Sequence, residues 1–203
     1  LGADLSPDEK AGYYKFEKIY GPTPQNLNLK SPLSSPEIKI QEGYYLLAIN
    51  DKEIKVPDNY WKYLQTNGKA KFKITINDKP TFVNAKTYEI KLIQNSSNLR
   101  YFRWLADNIE KVDKATKGKI GYMHINAMGS GGIGEFDKFW RAFRYKDGII
   151  IDVRRNSGGW TEYFMIDKLE RKVVAFNVLK NMVPFRYPGS AGNGNYVAIS
   201  NEY

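Results

Sequence analysis

The feature that most constrains the fold is an apolar run, Gly-Ile-Ile-Ile at 148–151, in a strand predicted at 148–153 that leads through Arg154 and Arg155 into Asn-Ser-Gly-Gly at 156–159. Apolar residues in succession, without alternating polar ones, are typical of a strand buried on both faces of a parallel sheet. A helix is predicted to follow at 161–171. The strand therefore ends in a turn whose main-chain N–H groups are open towards a negatively charged group.

The surrounding pattern is that of an α/β region. Strands are predicted at 120–125, 173–176 and 196–199, and the spacing of Phe136, Phe139, Trp140 and Phe143 predicts one buried helix face. Strands and helices in this order favour right-handed parallel crossovers. Upstream, a helix is predicted from Ser96 or Ser97 to about 115, ending at Gly118, with one apolar stripe formed by Phe102, Leu105, Ile109 and Val112.

The first 94 residues read as short strands separated by turns. Strands are predicted at 13–19, 44–49, 70–76 and 87–93, and a short helix at 60–64. The predicted fold is α+β overall, with a β-rich domain at 1–94, a connector helix at 95–118 and an α/β domain with parallel strands at 119–203.

Composition excludes several classes of protein. The 203 residues contain no apolar run long enough to span a membrane and no basic-then-apolar leader, which favours a soluble, cytoplasmic protein without a membrane partner. The absence of cysteine excludes disulfides, thiolate metal sites and a cysteine nucleophile. The net charge of +9 is spread along the chain, which favours a solvated basic surface over nucleic-acid binding.

Two glycine segments could carry chemistry. The 156–159 turn could cradle a phosphate or form an oxyanion hole, although no Walker-type lysine follows it, and it could equally be a tight structural turn. Gly129–Gly134 reads G-x-G-x-x-G, with Asp152 eighteen residues beyond its last glycine, as in a dinucleotide site. Too little chain follows for a complete dinucleotide domain, so a flexible glycine loop is the alternative.

Single side chains give weaker signals. His124, the only histidine, lies in an apolar strand and is predicted to be a packed, hydrogen-bonded residue. One histidine without cysteine makes a zinc site improbable. Asp152 is predicted to brace Arg154 or Arg155, and the four tryptophans (Trp61, Trp104, Trp140 and Trp160) are predicted to anchor a core or an interface.

Several motifs, taken in order, resemble a known family. Residues 119–125, 148–154 and 156–159 resemble the catalytic domain of tricorn proteases, which are tail-specific, or C-terminal processing, serine peptidases. Residues 1–4, 31–33 and 42–50 resemble the PDZ-like domain that precedes it, and 201–203 fits the same pattern. The resemblance implies a PDZ-like, β-rich domain followed by part of an enoyl-hydratase-like α/β catalytic domain.

The resemblance also implies roles for individual residues. The oxyanion-hole amide carries over to Gly159 as first choice, with Gly158 beside it. Asn177 occupies the place of an aspartate that favours basic substrate side chains, so we expect a substrate-binding residue with weaker attraction for Arg or Lys. Tyr44 follows Gly43 where Gly-Asp is common, a departure from the usual peptide-binding signature.

We therefore expect a fragment of a tricorn-like serine peptidase that hydrolyses peptides through an acyl-enzyme. The family's nucleophilic serine and catalytic histidine match no position between 1 and 203, so the isolated chain is expected to be inactive. The resemblance implies peptide substrates, a homo-hexamer when complete, and neither metal nor organic cofactor. The alternatives are a non-catalytic peptide-binding adaptor of the PDZ type and a dinucleotide-binding protein that uses Gly129–Gly134.

Overall fold

The computed structural model of the chain describes residues 1–65 and 71–202. It divides into two compact units, Leu1–Trp104 and Leu105–Tyr203. Ala70, predicted to begin a strand, and Tyr203, the last residue of the final motif, lie outside the described residues. The division into domains at 1–94, 95–118 and 119–203 stays a prediction.

The first unit contains a six-stranded antiparallel sheet with the strand order β1-β2-β3-β5-β6, in which β4 pairs with β3. The strands are β1 (Ala3–Asp8), β2 (Tyr13–Ile19), β3 (Tyr45–Ile49), β4 (Lys52–Glu53), β5 (Phe72–Asn77) and β6 (Lys86–Ile90). Two short 3-10 helices, Pro32–Ser34 and Tyr60–Leu64, lie in the connections. The predicted β-rich region is confirmed, and β1 and β4 are additional strands that the pattern did not reveal.

The core of this unit follows from the alternation of its strands. In β5, Phe72, Ile74 and Ile76 are buried while Lys73 is exposed, as the period of two in a half-buried strand requires. These side chains pack with Phe16 and other buried residues into one hydrophobic cluster.

Helix α1 (Ser97–Ala115) has the predicted length and stripe. At its start, the Asn95 side-chain oxygen accepts a hydrogen bond from the Ser97 N–H at 2.6 Å. Leu105 is fully buried, as the centre of the predicted stripe should be. Gly118 adopts a φ of 79° and donates its N–H to the Asp113 carbonyl at 2.8 Å, which ends the helix as predicted.

The second unit contains a three-stranded parallel sheet with the order β11-β8-β7. Its elements are β7 (Ile120–His124), α2 (Ser130–Phe143), β8 (Gly148–Asp152), α3 (Glu162–Glu170), β9 (Ala175–Asn177), β10 (Phe185–Tyr187) and β11 (Tyr196–Ile199). The central position of β8 explains its apolar run at 148–151. His124 and Ile199 both align with Asp152, so the three strands end at one edge of the sheet.

The strand predicted at 173–176 does not continue this sheet. It forms β9, which pairs antiparallel with β10 in a separate two-stranded sheet. The third parallel strand is β11, later in the chain. A short apolar run specifies an extended segment but not its pairing partner, which is why the sequence placed it wrongly.

The predicted inner face of α2 is confirmed for Phe136, Phe139 and Trp140, which are all buried. The core interpretation of the tryptophans holds for Trp140 alone. Trp61 and Trp160 are 59% and 88% exposed, respectively, and are therefore not core residues. Their role as interface anchors stays a prediction.

Candidate active site

The carboxyl end of β8 is held by a buried charged network. Asp152 is fully buried, and its carboxylate accepts hydrogen bonds from the Tyr122 hydroxyl at 2.7 Å and from Arg154 Nη2 at 2.6 Å. Burial alone would raise the pKa of Asp152, but Arg154 and the Tyr122 hydroxyl outweigh it and lower that pKa to about 2. Asp152 is therefore an ionised brace, as predicted with Arg154.

His124 lies beside Asp152 at the same edge of the parallel sheet. It is buried at the end of β7, and its Nε2 lies 2.9 Å from the Arg154 carbonyl oxygen. A ring engaged in this way positions the main chain between β8 and the glycine turn. The prediction of a packed, hydrogen-bonded sheet histidine is confirmed.

Asn156 fastens the glycine turn with both ends of its side-chain amide. The Nδ2 group donates to the Ile125 carbonyl at 2.7 Å, and Oδ1 accepts the N–H of Gly158 at 2.7 Å. The neighbouring Ser157 donates its N–H to the Asn126 carbonyl at 3.0 Å. The motif alone assigns Asn156 no separate role, although an asparagine two residues before a glycine is a signal for this kind of turn.

The second half of the turn is secured by Met128. Its N–H donates to the Gly158 carbonyl at 2.8 Å, and its carbonyl accepts the N–H groups of Trp160 at 2.9 Å and Thr161 at 3.1 Å. A Cβ atom at Gly159 would lie 1.9 Å from the Met128 oxygen, and φ at Gly159 is 147°. Only glycine allows the two segments to approach this closely.

The two candidate amides are thereby distinguished. The N–H of Gly158 is engaged by Asn156, whereas that of Gly159 donates no hydrogen bond to any residue in 1–65 or 71–202. The neighbouring Arg155 N–H is also engaged, by the Asn201 side-chain oxygen at 3.1 Å. Around Gly159, the turn is thus a rigid frame with one available main-chain donor.

Gly129–Gly134 is not a flexible loop, so that interpretation is wrong. Gly129 is the N-cap of α2, and the other glycines of the motif lie in its first turns. A Cβ atom at Gly132 would lie 1.8 Å from the Ala127 carbonyl oxygen, so this glycine allows close packing. The dinucleotide alternative is weakened further because Asp152, its proposed ribose ligand, is fully buried and bonded to Arg154.

Asn177 lies at the end of β9, half-buried and paired with Phe185 in the two-stranded sheet. It is therefore not part of the parallel sheet that carries the glycine turn. Its role in substrate binding stays a prediction.

Within the described ranges, no group of three or more His, Cys, Asp or Glu side chains could hold a metal ion. No helix in the same residues has the length and apolar character needed to cross a membrane.

The second unit exposes many large apolar side chains around and after the turn. The most exposed are Trp160, Tyr163, Val174, Phe176, Val178, Val183, Tyr187 and Val197. A folded unit rarely leaves so much apolar surface in water, and such surface marks an interaction site. The sequence pattern predicts strand or helix positions for Tyr163, Val174, Phe176 and Val197, but it does not indicate that these side chains face solvent.

Comparison with known proteins gives consistent matches along the chain. Residues 1–95 match the family profile described as the tricorn protease PDZ domain, and residues 119–170 match peptidase family S41. A tricorn-like protease C-terminal subunit of Sulfurisphaera tokodaii is 31% identical over the whole chain, which covers 23% of that relative. The tricorn protease of Thermoplasma acidophilum is 28% identical over 94% of the chain and 18% of its own length.

A solved structure agrees with these matches. The crystal structure of the tricorn protease superposes with a TM-score of 0.83 and 27% identity, over the whole of this chain and 19% of that one. The chain thus spans about a fifth of the length of the relatives that it matches.

Proposed function

The chain belongs to the tricorn-type proteases of peptidase family S41, and on that premise we propose that the complete polypeptide hydrolyses peptides, with the Gly159 N–H as an oxyanion-hole donor. One observation carries this proposal. The other main-chain N–H groups of the turn donate hydrogen bonds to described residues, whereas the N–H of Gly159 donates none.

The proposed chemistry follows from the change in charge during acyl transfer. When a nucleophile attacks a peptide carbonyl, the carbonyl oxygen becomes an oxyanion, and a donor already aimed at it stabilises the transition state more than the substrate. A donor of this kind raises kcat by a factor of roughly 10²–10³. Helix α3 begins at Glu162, three residues beyond Gly159, so the positive end of its dipole lies close to the turn in the chain.

The nucleophile and base are assigned to parts of the polypeptide other than 1–203. His124 is bound to the Arg154 carbonyl, and the Ser157 hydroxyl lies 3.3 Å from the Asn126 carbonyl oxygen. Neither is arranged as an activated pair. The 203-residue chain alone is therefore expected to show no peptide hydrolysis, and turnover by it that a fluorophosphonate abolishes would contradict the assignment.

The donor itself can be tested in the complete gene product by an amide-to-ester substitution at Gly159, which replaces the N–H by oxygen without adding a side chain. We expect kcat to fall by roughly 10²–10³ with little change in KM. The matched control is the same substitution at Gly158, whose N–H already binds Asn156. An equal or larger loss at Gly158 would refute the choice of Gly159.

Asn156 is proposed as a positioning residue for this donor. In Asn156→Ala, Gly158 loses its acceptor and Ile125 its donor, so Gly159 is no longer held in one orientation. We expect kcat to fall while KM stays close to that of the parent enzyme, because the proposed role of Asn156 is to position the donor and not to contact the substrate. A rise in KM with unchanged kcat would show that Asn156 acts in binding instead.

A peptide-binding role of the first unit is a second candidate function, favoured by the match of residues 1–95 to a PDZ domain. β1 lies at one end of the strand order, where an extended peptide could pair with it. Saturable binding of peptides by a complete gene product without hydrolytic activity would support an adaptor over an enzyme.

Assembly and location belong to the same proposal. A homo-hexamer and a cytoplasmic location are implied by family resemblance, and the exposed apolar side chains of the second unit support burial against further protein. Sedimentation of the complete gene product tests the assembly state.

A further inference from the structure

A basic cavity of about 360 Å³ lies in the second unit, where the C-terminal halves of α2 and α3 meet the turn at 189–190. Its volume is at the lower end of the range for small-molecule sites, about 300–1,000 Å³. Four cationic side chains line it, together with one carboxylate: Arg141, Arg144, Lys168, Arg171 and Asp137.

The charges in this cavity do not balance. Lys168 pairs with Asp137, and Arg171 pairs with Asp167. Among the described residues, no carboxylate forms an ion pair with Arg141 or with Arg144. The C-terminal ends of two helices offer about half a negative charge each, which offsets only one of the two remaining positive charges. Helix capping therefore does not account for the whole cluster.

Two of the cationic groups are also held in place. Arg144 donates from Nε to the Gly189 carbonyl at 3.2 Å and from Nη1 to the Arg141 carbonyl at 2.9 Å. Its guanidinium carbon lies 4.4 Å from the centre of the Tyr145 ring. Arg171 donates from Nη1 to the Ser190 hydroxyl at 3.0 Å. These neutral partners orient the guanidinium groups without cancelling their charge.

The turn that completes the cavity is equally fixed. Trp140, which is only 2% exposed, donates its indole N–H to the Ser190 carbonyl at 2.9 Å. Ala191 is fully buried directly after that turn. The cavity is thus formed by a packed part of the unit, which reduces the ordering entropy that a ligand must overcome.

We propose that this cavity binds the phosphate group of a small molecule, with Arg141 and Arg144 as its principal ligands. The planar guanidinium group matches phosphate oxygens with two parallel hydrogen bonds, and two such groups with little competing charge suit a multiply charged oxyanion. The site uses no residue of the glycine turn, so its occupant is distinct from the peptide at Gly159.

Isothermal titration calorimetry of the complete gene product tests the site at constant ionic strength, with inorganic phosphate, glycerol 3-phosphate and succinate as probes. Arg141→Gln is the main variant because the Arg141 side chain bonds no described residue, so its loss should leave the fold intact. Arg144→Gln is a second variant. Lys180→Gln is the matched control, since Lys180 is exposed and lies outside the cavity but carries the same charge.

We expect saturable phosphate binding that is about tenfold or more weaker in Arg141→Gln and unchanged in Lys180→Gln. Tighter binding of glycerol 3-phosphate identifies a phosphorylated molecule as the occupant, and tighter binding of inorganic phosphate identifies the free ion; both support the site. Absence of saturable binding, equal affinity in Arg141→Gln and the parent, or succinate binding as tight as phosphate would overturn it.

Discussion

Replacing Gly159 by alanine tests the close approach on which the candidate active site depends. The new Cβ atom would lie 1.9 Å from the Met128 carbonyl oxygen and 2.2 Å from its carbon, where real Cβ contacts remain beyond 3.0 Å. The two segments must therefore separate by more than 1 Å. That displacement breaks the three hydrogen bonds that Met128 makes with Gly158, Trp160 and Thr161.

The expected magnitude follows from these contacts. Three lost hydrogen bonds at about 1 kcal/mol each, with about 1–2 kcal/mol for a non-glycine residue at positive φ, give about 4–5 kcal/mol. Gly158→Ala is the matched control, because Gly158 also has a positive φ, 83°, but a Cβ atom there meets nothing within 4 Å. Its expected cost is only about 1–2 kcal/mol.

Native-state hydrogen exchange measures this difference locally, at the Trp160 and Thr161 amides. Protection at both should fall about a hundredfold further in Gly159→Ala than in Gly158→Ala, which corresponds to about 3 kcal/mol. Equal protection in the two variants would show that the contact between Met128 and Gly159 does not hold the turn, and the reasoning would fail.

Two further predictions concern the surroundings of the turn. Gly132→Ala should destabilise the second unit by about 2 kcal/mol or more in urea unfolding, because the new Cβ atom would lie 1.8 Å from the Ala127 carbonyl oxygen. The control is Gly134→Ala on the same helix, which should stabilise the unit by about 0.5–1 kcal/mol because its Cβ atom would lie in open space. Effects of the same sign in the two variants would contradict this prediction. The second prediction concerns acid sensitivity. The pKa of Asp152 is about 2 in the folded state, against an ordinary value of 3.8. Its contribution to stability is therefore complete above the ordinary pKa and is lost as the pH falls through about 2. The free energy of unfolding should decrease by about 2 kcal/mol over that interval. An Asp152→Asn variant with the same acid sensitivity as the parent would show that the pair with Arg154 is not the cause.

The parts of the fold that the sequence predicted are those in which one local pattern determines burial. The apolar run at 148–151 predicts a strand in the middle of a sheet, and the stripe through Leu105 predicts a helix. By contrast, Ala175–Asn177 is too short to specify a partner, and its place in a separate sheet depends on contacts with β10.

The site was predicted less completely because its geometry depends on contacts between distant segments. Gly158 and Gly159 look equivalent in the sequence, and only the bond from Gly158 to Asn156 separates their roles. The glycines at 129–134 suggested a loop, whereas helical packing against Ala127 is what requires Gly132. Hydrophobicity likewise placed Trp160 in a core or an interface, yet it cannot tell burial within the unit from exposure at its surface.

The contacts that fix the glycine turn also have a consequence for the order of assembly during synthesis. The bonds from Asn156, Ser157 and Thr161 reach back only 31 or 32 residues. Short loops of this kind close quickly, because little chain entropy is lost. These contacts of the turn can thus form soon after Thr161 leaves the ribosome, before the strand β11 that completes the parallel sheet has been translated.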